Sequence, residues 1–121
     1  MAQVRYIVDD VDAAVAFYTE ALGFVLKQQF GPAMAIVHHD GLDLWLAGPA
    51  ASASRAMPDG TKPVAGGWNR LVLTVDDLED LVRRLISQGV SFRNEVATGP
   101  GGRQILCEDP AGNAVELFQP A

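Results

Sequence analysis

His38 and His39, the only two histidines, stand side by side in the run Met34-Ala35-Ile36-Val37-His38-His39-Asp40. Imidazole is the commonest metal ligand and acid-base group near neutrality. Adjacent residues on an extended strand point to opposite faces, however, so this pair cannot chelate one ion. A surface or turn-edge place is expected for both, with one free to act as an isolated acid-base group. The single cysteine, Cys107, lies in the apolar stretch Ile105-Leu106-Cys107, where a buried, inert thiol is expected rather than a nucleophile. Gly99-Pro100-Gly101-Gly102-Arg103 is glycine-rich but lacks the strand-to-helix context of a phosphate loop. It reads as a turn from which Arg103 could reach an anionic ligand, with Thr98 and Asn69 as further rim candidates.

The elements that position these residues come in two similar sets. Val8-Asp9-Asp10-Val11-Asp12 opens a run ending at Leu22-Gly23-Phe24, and Val75-Asp76-Asp77-Leu78-Glu79 opens one ending at Gln88-Gly89-Val90. Asp9 with Asp12, and Asp76 with Glu79, have the spacing of helix N-terminal caps. Val11, Val15, Tyr18 and Leu22 share a helical face, as do Leu78, Val82 and Leu85, and Gly23 and Gly89 suit C-terminal caps. Helices are predicted over about 12 to 25 and 77 to 88. Strands are predicted over 3–8, 24–28, 34–38 and 42–46, and again over 71–75, 91–95, 104–108 and 114–118, with turns at His39-Asp40-Gly41 and Asp109-Pro110-Ala111-Gly112-Asn113. Each half reads β-α-β-β-β. A short unit cannot bury its apolar face alone, so a duplicated one implies two modules sharing a core or a ligand site across their seam.

With 121 residues, the chain is one domain of α+β class: a first module over 1–49, a linker over 50–67 and a second module over 68–121. The stretch from Gly48 to Gly67, rich in Ala, Ser, Gly and Pro, is expected to be a mobile linker rather than a lid. A formal net charge of -6 removes the basic surface that nucleic-acid binding needs. No apolar run is long enough to cross a bilayer, and Met1 to Asp10 lack the pattern of a secretion signal. A cytoplasmic protein is expected, and one cysteine without an internal disulfide partner agrees with a reducing compartment.

The duplicated unit, with Asp9-Asp10-Val11-Asp12 before a helix holding Phe17-Tyr18, Leu22-Gly23-Phe24 after it, and a closing Asp109-Pro110-Ala111-Gly112-Asn113-Ala114-Val115-Glu116-Leu117, resembles the vicinal-oxygen-chelate superfamily. That group includes glyoxalases, extradiol dioxygenases, fosfomycin-inactivating enzymes and bleomycin-binding resistance proteins. The resemblance covers nearly the whole chain and implies curved mixed sheets around a cup. It implies one metal ligand on the first and last strand of each module, and these positions correspond here to Gln3, Trp45, Arg70 and Glu116. Gln3 and Glu116 suit a metal. The indole N–H of Trp45 and the guanidinium of Arg70 are donors only, and Arg70 adds a fixed positive charge. No metal and no other cofactor is therefore expected.

If those four positions point into the cup, alternation places Gln3, Arg5 and Ile7, Asp43, Trp45 and Ala47, Arg70, Val72 and Thr74, and Ala114, Glu116 and Phe118 there as well. Trp45, Trp68 and Phe118 could then stack on a flat conjugated ligand, while Arg70 pairs either with an acidic group on that ligand or with Glu116. The ligand-binding set expected is Gln3, Arg5, Trp45, Trp68, Arg70, Arg103, Glu116 and Phe118. The resemblance also implies a homodimer in which module one of one chain faces module two of the other. The leading expectation is a metal-independent binding protein for a small aromatic or antibiotic-like molecule. The competing one is a glyoxalase-like enzyme, either metal-free with Glu116 as base and Arg70 as electrophile or using other ligands. A third is a dimeric module with a structural role.

Overall fold

The computed structural model describes all of residues 1–121. Module one runs β1 (Val4–Ile7), α1 (Val11–Ala16, continued by a π-helical turn over Phe17–Ala21), β2 (Val25–Phe30), β3 (Met34–His39) and β4 (Leu42–Ala47). Module two runs β5 (Leu71–Thr74), α2 (Leu78–Ser87), β6 (Ser91–Phe92), β7 (Ala97–Gly99), β8 (Gly102–Glu108) and β9 (Ala114–Pro120). The sheets have matching orders, β1-β4-β3-β2 and β5-β9-β8-β6, and neither closes. In each, the first strand lies parallel to the last and the remaining neighbours are antiparallel. The fold is thus the α+β pair of βαβββ units anticipated from the repeat. No helix is long and apolar enough to cross a membrane.

Both helices begin one residue later than the Asp9 and Asp76 caps predict. Asp10 is the cap and accepts from the Ala13 N–H (3.1 Å), just as Asp77 accepts from the Asp80 N–H (3.1 Å) to start α2. Asp12 and Glu79 instead turn outward, to Gln29 and Arg103. The first helix stops at Ala21, short of position 25. Leu22 leaves helical geometry, Gly23 takes a positive φ of 77°, and the Phe24 N–H closes onto the Tyr18 carbonyl, a six-residue cap that only a left-handed residue permits.

The predicted strand over 91–95 is broken after Phe92. The Asn94 side-chain carbonyl takes the Leu106 N–H that a neighbouring strand would have accepted (2.9 Å), and pairing resumes only at Ala97. β2 runs two residues past Gln28 and carries a bulge between Leu26 and Gln28. The Asp40 and Gly41 φ angles of 50° and 81° are those of a two-residue hairpin turn whose twist matches its strands. The segment between modules contains a short 3-10 turn, Ser52–Ser54, whose buried Ser54 hydroxyl donates to the Gly48 carbonyl (2.7 Å).

One core of 19 buried residues joins both modules: Tyr18, Leu44 and Leu46 from the first, Leu78, Leu85 and Leu117 from the second, with their neighbours. At its edge lies a polar knot. The buried Asp109 carboxylate accepts from the Ala111 and Asn113 N–H groups through one oxygen, and from the Tyr18 hydroxyl (2.9 Å) and Asn113 Nδ2 (3.0 Å) through the other. Asn113 also donates to the Ile7 carbonyl (2.8 Å) and accepts from the Gly66 N–H (2.8 Å). Tyr6 reaches across from β1, donating to the Ala114 carbonyl and accepting from the Leu71 N–H. Burial, and then the adjacent Asp109 carboxylate, push the Tyr18 hydroxyl far above its ordinary range, so it stays a donor.

Deleting that donor leaves a buried carboxylate one partner short, so Tyr18→Phe should lower the free energy of unfolding by about 2 kcal/mol in a urea titration. Asp80→Ala, which removes only an exposed pair with Arg83 at 3.5 Å, should change it by less than about 0.5 kcal/mol.

Candidate functional site

Alternation along the strands turns Val4, Tyr6, Leu44, Leu46, Leu71, Val115 and Leu117 toward the helices, where most are fully buried. The intervening residues form the two opposite, concave faces. On module one Arg5 and Ile36 flank Trp45 across the sheet. On module two Val72 and Leu106 flank Glu116, and Thr74 and Gln104 flank Phe118.

On module two the two charges meet each other. Arg70 Nε and Nη2 both donate to Glu116 Oε1, at 3.0 and 2.8 Å, with the Glu116 side chain only 9% exposed. This is the internal alternative for Arg70. A carboxylate with so little access to water needs a cation beside it, and Arg70 immediately precedes β5, two residues before Val72, the register partner of Glu116. The Arg70 Nη1 adds a long bond to the Trp68 carbonyl (3.4 Å).

Trp68 is 69% exposed, and the Arg93 guanidinium covers one of its faces at 4.7 Å. Arg93 is held in turn by Glu108 and by the Gly67 and Gly112 carbonyls. Nothing in the pattern around Arg93 singled it out beforehand. The ring pairs of the molecule are Phe17–Tyr18, Tyr18–Phe24 and Phe24–His39, so Trp45, Trp68 and Phe118 do not stack on one another within one chain. Arg103 departs from its expected place at the rim. It pairs with Glu79 of α2 (2.8 Å) and with Gln119, on the helix side of the sheet, because its register partner is Gln119 and not Phe118.

Gln3 is exposed just before β1, and Arg5 is exposed beside Trp45, its guanidinium 5.0 Å from the indole centroid. Next to Arg5 lies a hollow of about 300 Å³, walled by Phe30, Ala33, Met34, Ala47 and Ala51. Its walls come from β1, β2, β3, the end of β4 and the segment after it, and only Arg5 and Ala47 among them were assigned a facing from sequence, so the hollow was not foreseen. The two histidines do take opposite faces. His39 stacks on Phe24 (4.9 Å), while His38 Nδ1 lies 2.7 Å from Asp43 Oδ1. The other Asp43 oxygen accepts from Lys27 (2.9 Å), a residue brought round by the β2 bulge. The His38–Asp43 pairing was within reach of sequence, since both flank the Asp40-Gly41 turn at matching distances.

The residues do not suit the metal that the four equivalent positions imply. Trp45 and Arg70 offer no lone pair, Arg70 occupies Glu116, and nowhere do three His, Cys, Asp or Glu side chains gather to hold an ion. Cys107 is fully buried, and burial pushes its thiol up to about 12, as an inert core residue requires.

The family model described as Glyoxalase/Bleomycin resistance protein/Dioxygenase superfamily matches residues 1–117. The chain belongs to that superfamily. Among solved structures it is similar to a lactoylglutathione lyase from Agrobacterium tumefaciens, with 23% identity, a TM-score of 0.75, and 98% of this chain and 92% of that one covered. It is similar also to the fosfomycin resistance protein FosX from Listeria monocytogenes, with 15% identity, a TM-score of 0.75, and 100% and 93% covered. A glyoxalase/bleomycin resistance protein/dioxygenase from Nocardioides aligns with 22% identity and a TM-score of 0.73 over 98% of this chain and 82% of that one. At these identities the likeness speaks for the superfamily fold and not for a shared reaction. A comparison with curated proteins finds no match.

The hydrogen bond from His38, and then that from Lys27, hold the Asp43 carboxyl below the usual range. A lowered carboxylate contributes stability above its unfolded value and loses it as pH falls through the folded one. Asp43 should therefore titrate below the ordinary aspartate value of about 3.9 in a carbon-detected NMR titration. In His38→Asn, which removes the larger cause, the midpoint should move back up.

Proposed function

We propose that this superfamily member is a metal-independent binding protein that holds a small, flat organic molecule, aromatic or antibiotic-like, between module one of one chain and module two of a second. The observation that carries this reading is the Arg70–Glu116 pair. A cation fixed on the one carboxylate of the set neutralises the charge a metal would have balanced, and Trp45 supplies flat surface where a ligand donor would stand. Aromatic surface with few, placed charges is the usual make-up of an organic-ligand site.

A second copy is favoured by what each chain leaves open. The helix-side faces of both modules share one core, whereas the hollows on the other faces are walled by module one and the start of the linker, residues 5–52, and by module two, residues 97–118. Phe30 and Val72, 48% and 54% exposed, lie uncovered there. The chain exposes 7008 Å², about a tenth more than a compact monomer of its mass. Covering these faces with a copy of the same chain would bury that surface and form two equivalent cups.

The enzymatic alternative, a glyoxalase-like lyase, isomerase or dioxygenase, draws on one observation. His38 bonded through Nδ1 to Asp43 leaves Nε2 as an acceptor, the arrangement of an oriented general base. Glu116 is the poorer candidate, since Arg70 Nε and Nη2 both already donate to its Oε1.

Protein dialysed against nickel, zinc, manganese and iron should carry close to no metal per chain by elemental analysis, and should sediment as a dimer. The Trp45→Glu, Arg70→His double variant should gain one ion per site. Close to one ion per chain in the parent would overturn the binding-protein reading in favour of the enzyme.

A further inference from the structure

Four cations stand on the concave faces: Lys27, Arg70, Arg93, which pairs with Glu108 at 2.8 Å, and Arg5. Lys27 is neutralised by Asp43 at 2.9 Å and Arg70 by Glu116 at 2.8 Å. Arg5 is paired with no carboxylate, and its guanidinium lies over the Trp45 ring. Arg5, Arg55, Lys62 and Arg84 make no ion pair, and of these only Arg5 lies over an aromatic ring on a concave face. It also stands at the mouth of the apolar hollow formed by Phe30, Ala33, Met34, Ala47 and Ala51. The hollow's volume of about 300 Å³ is at the small end of organic-ligand sites. An arginine held against an aromatic face keeps its edge donors free for a planar anion.

From this juxtaposition we infer that the molecule bound is an amphipathic anion: an apolar or aromatic body seated in the module-one hollow, and a carboxylate or sulfonate bonded to Arg5. The inference rests on the small-molecule reading above and moves the anion-recognising role from Arg70, which Glu116 already occupies, to Arg5. Trp45 has two tasks here. It orients the guanidinium through one face, and it lies between Arg5 and Ile36 across the sheet. The net negative charge of the protein repels such a ligand at long range, but that repulsion is screened within about 8 Å at physiological salt, whereas the bond to Arg5 is made at contact.

The test uses two fluorescent probes that differ by one charged group, anilinonaphthalenesulfonate and its uncharged parent phenylnaphthylamine. The full protein should bind the sulfonate the more tightly, and added salt should weaken the sulfonate alone. Arg5→Gln should lower sulfonate affinity about tenfold, the worth of one charge-assisted contact, and leave the uncharged probe unchanged. Arg55→Gln, at an arginine that also lacks an ion pair, should alter neither. Ala51→Phe, which fills the hollow from an extended backbone position, should weaken both probes with melting temperature retained. Equal sulfonate binding by the parent and Arg5→Gln would overturn the inference and leave the binding-protein reading standing. Binding of neither probe by the parent would overturn both.

Discussion

The buried carboxylate of Asp109 is the constraint on which the arrangement of the two modules depends. A charge with 4% of its surface exposed is tolerable only when its lone pairs are filled. Two of its four donors are backbone groups of its own turn, which fixes the shape of residues 109–113. The other two tie that turn to Tyr18 of module one and to Asn113, which in turn grips the Ile7 carbonyl and the Gly66 N–H. Few other geometries satisfy all of these groups at once. The knot therefore sets the register of module two against module one while the apolar core beneath it, non-directional by nature, supplies the driving force.

The duplicated units are not equivalent, and the difference falls where the knot lies. Module one turns between its last two strands with two residues, Asp40 and Gly41, both at positive φ. Module two uses the longer Asp109–Asn113 turn, and its extra residues carry the groups that reach the other module. The faces diverge likewise. Module two neutralises its own concave charge by pairing Arg70 with Glu116, and Arg103 is drawn away to α2. Module one keeps an unpaired Arg5 beside an apolar hollow. Superfamily scaffolds host many chemistries, and here Lys27, Arg70 and His38 are spent on internal pairs while Arg5 is not.

Several features were legible because a local rule governs them. The repeat, the two helices and the alternation of Val4, Tyr6, Leu44, Leu46, Val115 and Leu117 follow from periodicity, and the opposite facing of His38 and His39 follows from strand geometry. Cys107 was legible as an inert core thiol. Local rules misplaced both caps by one residue, since Asp9 and Asp10, like Asp76 and Asp77, are equally good caps by type. They also ran the first helix past Ala21 and drew one strand over 91–95. In the last case a side chain, Asn94, outcompetes the backbone for a bond to Leu106, a choice made by tertiary proximity.

By itself the sequence determined the α+β duplication, the apolar faces that must be covered, and the absence of lone pairs at Trp45 and Arg70, because each is a property of residue type and spacing. Only the tertiary structure decided which charges find each other. Arg70 turns to Glu116, 46 residues away, Arg103 turns to Glu79 of α2, and Arg5 finds an indole but no carboxylate. Pairing depends on distances of a few ångströms between groups far apart in the chain, which composition and periodicity do not encode. The hollow beside Arg5 is decided in the same way, since its walls come from β1, β2, β3, β4 and the segment after it and exist only once those strands lie side by side.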